Sequence, residues 1–563
     1  MKHEMFTSFD NLVQEYYQAW FRFHPEQAVE AGVEGYAGLL RPFSDDDTGV
    51  LISLNEKLLD ALDEIEPATL DANREIDLKI LRGAARLELH DLLERDWRLR
   101  DPAGFLPVNA IYQLTVRPVR DLESALVARL GKIPDYLRDA AGRLRQQTGD
   151  IPAQWLVAAI AEAQSGVDYF RSLHNHPLLS KQCHDLGKIH GLLDAAGRSL
   201  QQFARVLETE VAAQAAAEFA CGREAYDRLL RDRHFLGIDA DGLHELGSRL
   251  VDETQQALLS VCKELGFDSI EALQASVSQD HPSADELLSN YRAGIQSAHA
   301  FVEQQQLVSL PRKQRLKVVA TPKFLIHQIP FAAYLEPSPH DIDQCGYYYV
   351  TPVNEPSLLA EHHPAAIAAT CVHEAWPGHH LQFVTANCER TSRTLPRLLN
   401  PSATLYEGWA LYCEQLMLEQ GFLDHPYSEA VMLRDRLWRA LRIVLDVELH
   451  TRGLSQDAAA RRMSETLVMP LEQARADILW YTRSPTVAMG YATGWALLQA
   501  LREILLPDLH QAASLPSESD LTHLKVFHDQ ILGCGSIALP LVIQHQFGEP
   551  VWQAVSSRAF GSE

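Results

Sequence analysis

Apolar residues recur every three to four positions through most of the first 300 residues of this chain. A stripe with that period can be buried only as helix. The run LNEKLLDALDEIE, beginning at Leu54, sets Leu58, Leu59, Leu62 and Ile65 at that spacing, and IDLKILRGAARLELHDLLERDW continues it. The alanine-rich segments LVAAIAEAQ and VAAQAAAEFA are strong helix formers rather than linkers. Pro102, Pro107, Pro118, Pro134 and Pro152 are expected to separate helices, because proline removes a backbone donor and clashes with the preceding turn.

The character changes near residue 307. LVSLPRKQRLKVVATPKFLIHQIPFAAYLEP and then GYYYVTP carry β-branched and aromatic residues in short proline-bounded runs, which read as a small strand patch. Helical periodicity returns from about Pro364. The expected fold is mainly α, with two helical lobes around a central groove and a minor sheet. One lobe would span 1–300 and the other, carrying the chemistry, 301–563. No repeat and no Gly/Ser linker sharpens that boundary.

An apolar share of 46 % with 22 % charged residues describes a globular chain, not a disordered one. The formal charge of −25 repels phosphate backbones and anionic headgroups, so neither nucleic acid nor membrane is expected as a partner. Eight cysteines without a Cys-x-x-Cys pair suggest a reduced compartment. The N-terminal MKHEMFTSFDNLVQEYYQAW lacks the uninterrupted apolar stretch of an export signal, and no run of about 18 apolar residues occurs. The expectation is a cytoplasmic protein.

Chemistry concentrates in AIAATCVHEAWPGHHLQ, Ala366 to Gln382. His373 and Glu374 adjoin at the end of an apolar helical run. Imidazole is a good Zn²⁺ ligand, and a neighbouring carboxylate can act as base toward water. The usual second histidine of such a helix stands at i+4, where this chain has Pro377. Pro377 and Gly378 can bulge the helix by two residues and return His379 to that place, with His380 as the alternative ligand. Downstream, SATLYEGWALYCEQLM carries Glu407 and Glu414 two turns apart among apolar neighbours, where a carboxylate is costly to bury unless paired or coordinating. Glu407 is expected as third ligand and Glu414 as hydrogen-bond partner of a ligating histidine. Cys371 and Cys413 read as small buried hydrophobes.

Together HEAWPGHHLQ and EGWALYCEQL resemble the signature of the bacterial family called domain of unknown function 885. That family is similar to zinc-dependent metallopeptidases of the gluzincin type. The resemblance continues through RALRIVLDVELHTRGLS and WYTRSPTVAMGYATGWALLQALR. It implies a zincin-like, mostly helical fold, one Zn²⁺ per chain, and Glu407 at the third-ligand position. Trp480 and Val487 depart from the family pattern, which has an arginine and a glutamine there.

Two later segments have readable chemistry. Asp446 and His450 stand at i and i+4, so the carboxylate could fix the imidazole tautomer and let His450 donate to an oxyanion. Tyr481 and Tyr491 flank a break at Pro485, and a phenol beside such a break could donate likewise. The expected function is a zinc-dependent hydrolase of peptide or amide bonds in small peptides, with Glu374 as base and His450 and Tyr491 as oxyanion donors. The alternatives are another mononuclear metalloenzyme, performing oxidation or elimination on the same His/Glu site, and a catalytically degenerate helical binding scaffold. No glutamate precedes any of the 24 histidines by three residues, which argues against a di-iron bundle.

Overall fold

Helices begin where a short polar side chain precedes an apolar periodic run. Ser44, Asp71, Asp185 and Asp239 each accept a backbone N–H from the first turn of helices Asp45–Asp63, Ala72–Glu94, Leu186–Val206 and Ala240–Glu264. Such helices make up most of the computed structural model, which is 71 % helical, so the protein is mainly α as its periodicity predicts. The structure describes residues 2–146, 148–322, 325–326, 329, 331–353, 355–507 and 518–561.

The prolines behave as expected at four of five places. Pro102 opens a short 3₁₀ turn, Pro107 and Pro152 stand immediately before helices Val108–Val116 and Ala153–Leu173, and Pro118 lies beyond the first of these. Pro134 corrects the expectation, because it lies inside helix Leu122–Gln146. Leu126, Leu130, Ile133 and Leu137 are all buried on that helix. Their burial outweighs the roughly 3 kcal/mol that an interior proline costs.

The chain forms two compact units. The first comprises Met1–Phe219 with Pro322–His327 and Ser338–Asp341; the second comprises Ala220–Thr321, Gln328–Pro337 and Ile342–Glu563. The division falls near residue 220 rather than near 300, because helix Ala240–Glu264 packs against the C-terminal helix Ser428–Thr451. Gly247 of the former lies against Ile443 and Val444 of the latter. The first unit is helical around a core that includes Phe105, Ile111, Leu126, Ile133 and Leu200.

The second unit holds every candidate site residue. Its sheet has strands β1 (Arg315–Ala320), β2 (Ala332–Leu335) and β3 (Cys345–Val350) in the order β1-β3-β2. β1 pairs with β3 in parallel and β2 with β3 antiparallel. The helices around the site are numbered here in chain order: α1 (Ile270–Val277), α2 (Pro364–Glu374), α3 (His379–Cys388), α4 (Ala403–Glu419), α5 (Ser428–Thr451), α6 (Leu471–Arg483) and α7 (Gly490–Leu505). None of the eight cysteines forms a disulfide, and Cys371 and Cys413 are fully buried. No described helix is long and apolar enough to cross a membrane.

α4 and α7 cross at backbone contact. A Cβ on Gly494 would stand 2.0 Å from the Thr404 carbonyl oxygen, and one on Gly408 would stand 2.5 Å from Gly494 Cα. The glycine of Glu-Gly-Trp-Ala thus allows two helices to touch, which brings Glu407 beside Tyr491. Gly494→Ala is expected to lower the thermal unfolding midpoint, since overpacking of this kind costs about 1–3 kcal/mol. An unchanged midpoint would argue against so close a crossing.

Candidate metal centre

α2 ends at Glu374 and α3 begins at His379, so the chain leaves the helix rather than bulging within it. The Gly378 N–H donates to the Val372 carbonyl at 3.0 Å and Leu381 N–H to the Ala375 carbonyl at 3.3 Å. Both bonds bridge six residues instead of four, which is a two-residue insertion. Gly378 is required there, because a Cβ would stand 1.9 Å from the His373 carbonyl oxygen. Trp409 Nε1 donates to the Pro377 carbonyl at 2.8 Å and ties the break to α4.

The insertion returns His379 to His373, with ring centroids 4.8 Å apart. Glu407 Oε2 lies 3.1 Å from His379 Nε2 and 3.6 Å from His373 Nε2. It is buried without being aligned for a hydrogen bond to either. One ligand atom from each of His373, His379 and Glu407 falls within 4.8 Å of the others, and among the described residues this is the one group of its kind. On the other side of His373, Nδ1 bonds Glu414 Oε1 at 2.7 Å, which turns Nε2 toward Glu407. Burial opposes charge on His373, but Glu407 and Glu414 outweigh it and push its pKa up to about 10. Burial likewise disfavours the Glu407 carboxylate, and the two imidazoles reverse that and hold it well below the usual range.

Glu374 is partly buried and lines a cavity of about 530 Å³ together with His373 and Glu414. Burial pushes its carboxyl up, and His379 and His373 oppose that shift. Burial first, and the charge of nearby Glu407 with it, push the Tyr491 phenol well above its ordinary pKa, and its ring stacks on His373 with centroids 6.5 Å apart.

The other expected residues stand apart. His380 is fully buried, with Nδ1 bonded to the Tyr334 hydroxyl and Nε2 to Gln314 Oε1, each at 3.0 Å; it is not in the cluster. His450 is a correction. Its Nδ1 accepts from the Cys221 N–H at 3.3 Å and its Nε2 donates to the Tyr481 carbonyl at 3.0 Å, so neither nitrogen is left to meet an oxyanion. Asp446 does not orient it: the nearest approach is 3.7 Å, while Asp446 Oδ2 accepts from the Tyr226 hydroxyl at 2.7 Å and the Thr486 N–H at 2.9 Å. Tyr481 donates its hydroxyl to Asp477.

Burial raises the Asp446 carboxyl from 3.8 to about 7, against the opposing bonds from Tyr226 and Thr486. A raised carboxyl binds its proton more tightly in the folded state. Its contribution is therefore complete below pH 3.8 and lost as pH rises through 7. Asp446→Asn is expected to flatten the fall in thermal midpoint between pH 4 and 7; parallel midpoint curves for both proteins would refute this.

Arg442 is the residue that sequence reading missed. It is buried on α5, with its guanidinium 4.7 Å from the Tyr491 ring, 4.9 Å from Trp438 and 5.6 Å from Trp480, and 3.4 Å from both Asp477 oxygens. The available signal was the polar stripe Asp435, Arg439, Arg442, Asp446 at helical spacing inside an apolar segment. Trp480, one of the two departures from the family pattern, supplies one face of that aromatic enclosure.

Solved structures share this fold, two of them covering 95 % and 99 % of the chain. One, from Shewanella oneidensis, is described as "a putative lipoprotein of unknown function". It aligns with a TM-score of 0.75 at 21 % identity, covering 95 % of this chain and 99 % of that one. The other, "the putative lipoprotein from Colwellia psychrerythraea", aligns with a TM-score of 0.79 at 17 % identity, covering 99 % of each. Both are named as lipoproteins, and that finding contradicts the expectation of a cytoplasmic protein. No curated protein matches the chain. The model of the family "Bacterial protein of unknown function (DUF885)" matches residues 25–545, nearly the whole sequence, and the chain belongs to that family.

Proposed function

We propose that the protein is a zinc-dependent hydrolase of peptide or amide bonds in small peptides, of the gluzincin kind, with one zinc per chain held by His373, His379 and Glu407. The observation that carries this reading is the convergence of those three ligand atoms within 4.8 Å, around a Glu407 oxygen that is buried without an aligned partner. Two imidazoles and a carboxylate are the donor set of a catalytic zinc site, which keeps a position open. Bound there, the ion would supply Lewis acidity that polarises a carbonyl and acidifies water.

The chain's own groups divide the remaining work. Glu374 takes the proton of the attacking water and passes it to the leaving nitrogen. Tyr491 donates its hydroxyl to the oxygen on which charge develops. Glu414 holds His373 in one tautomer through the 2.7 Å bond at Nδ1. The cavity beside Glu374 is sized for a few residues of peptide.

Elemental analysis of the dialysed protein is expected to find about one zinc per chain. Hydrolysis of a short-peptide library should be lost on chelation and restored by zinc. Two irons per chain, or zinc without cleavage of any peptide, would overturn the reading. Glu414→Gln is expected to weaken zinc binding about 10–100-fold with the fold retained, as read by competition with a chromogenic chelator.

A further inference from the structure

The 530 Å³ cavity beside Glu374 has two unlike walls. Ile270, Leu273 and Val277 of α1 make an apolar wall, while α5 presents Arg434, Arg439 and Arg442. Two of these guanidinium groups have carboxylates of their own: Arg439 pairs with Asp435 at 3.2 Å, and Arg442 faces Asp477 at 3.4 Å. Arg434 is different. Its Nε donates to the Leu467 carbonyl at 3.4 Å, and among the described residues no carboxylate oxygen lies within 4.0 Å of it. The remaining acids of the cavity do not neutralise it. Glu414 is bonded to His373 and Glu374 adjoins the metal cluster, while Glu361 and the exposed Glu271 form no ion pair with Arg434. A half-buried guanidinium without a counter-ion, on the wall of a cavity that also holds the candidate base, is a receptor for a carboxylate.

We infer that Arg434 binds a carboxylate of the peptide substrate, with the apolar wall taking the adjacent side chain. This rests on the hydrolase reading above. Eight residues of helix separate Arg434 from Arg442, about 12 Å along the axis. Arg442 adjoins Tyr491, whose ring stacks on His373 of the candidate metal site. An extended peptide covers roughly 3.3–3.6 Å per residue, so the carboxylate falls roughly three residues from the cleaved bond. A free C-terminus and an acidic side chain offer the same group.

The test uses three N-acetylated tetrapeptides: one with a C-terminal leucine as the free acid, the same peptide amidated, and an amidated peptide ending in glutamate. Binding is measured by calorimetry on zinc-loaded Glu374→Gln and on Glu374→Gln combined with Arg434→Gln. Cleavage is measured with wild type, Arg434→Gln and Arg434→Lys. In the Glu374→Gln protein the free acid should bind roughly 10–100-fold more tightly than its amide, and Arg434→Gln should erase that difference. In cleavage, Arg434→Lys should keep part of the preference for the free acid that Arg434→Gln loses, as a retained charge without the planar fork would. If the glutamate peptide regains the affinity, a side-chain carboxylate is accepted too; if not, the site takes the terminal one. Equal binding of acid and amide, or an equal loss for both in Arg434→Gln, overturns the inference. Cleavage without acid preference would sink this inference alone, whereas acid preference without cleavage would sink the hydrolase reading and leave the carboxylate site standing.

Discussion

Glu374→Gln is expected to lower kcat for peptide hydrolysis by about 10²–10⁴-fold while zinc content stays near one per chain. The substitution keeps the shape of the side chain and removes its capacity to take a proton, and general-base catalysis contributes about that factor. Glu374 is next to His373 in sequence but outside the group of converging ligand atoms, so metal binding should be spared. Its carboxyl lines the cavity where a substrate carbonyl would lie, and burial raises its basicity above that of an exposed glutamate. Steady-state kinetics on both proteins, each normalised to measured zinc, makes the comparison. Equal kcat would remove Glu374 from the mechanism, and with it the main reason to read the site as hydrolytic.

The second large effect separates two adjacent histidines. His379→Ala should lose zinc far beyond the roughly 10–100-fold that removal of an outer hydrogen-bond partner costs. It leaves one imidazole and one carboxylate where three donors converge. His380→Ala should keep about one zinc per chain. It breaks two part-buried bonds, to Tyr334 and Gln314, and so lowers stability by about 1–3 kcal/mol. Zinc titration and thermal unfolding on both variants read the contrast. Zinc loss in His380→Ala with retention in His379→Ala would exchange their roles.

The helical character of the chain and its small sheet were legible in sequence because both depend on local period. An apolar stripe every three to four residues has one way to be buried, and short β-branched runs bounded by proline have another. The strands between Arg315 and Val350 lie within the segment singled out for them. The pair His373-Glu374 and the Pro377-Gly378 interruption were also legible, since proline at i+4 excludes the usual spacing and implies an insertion; its length, which separates His379 from His380, came only with the backbone bonds across the break.

Long-range pairing was not legible. The spacing of Asp446 and His450 fits an ion pair, yet other segments supply better partners: the Tyr226 hydroxyl and Thr486 amide for the acid, the Tyr481 carbonyl for the imidazole. An i,i+4 relation says that two side chains share a helix face; it does not say what else reaches that face. Arg442 escaped notice for the same reason, because its aromatic neighbours come from α6 and α7 as well as its own helix.

Residue order alone decided which segments are helical, where they start, and which histidines and carboxylates stand ready along them, since each of those outcomes is settled within a turn or two of backbone. Packing decided which of those groups meet. His373, His379, Glu407 and Tyr491 converge because Gly408 and Gly494 let two helices touch and Trp409 anchors the break at Pro377. Close approach between distant segments is a property of fitted surfaces, and no window of sequence contains both surfaces at once.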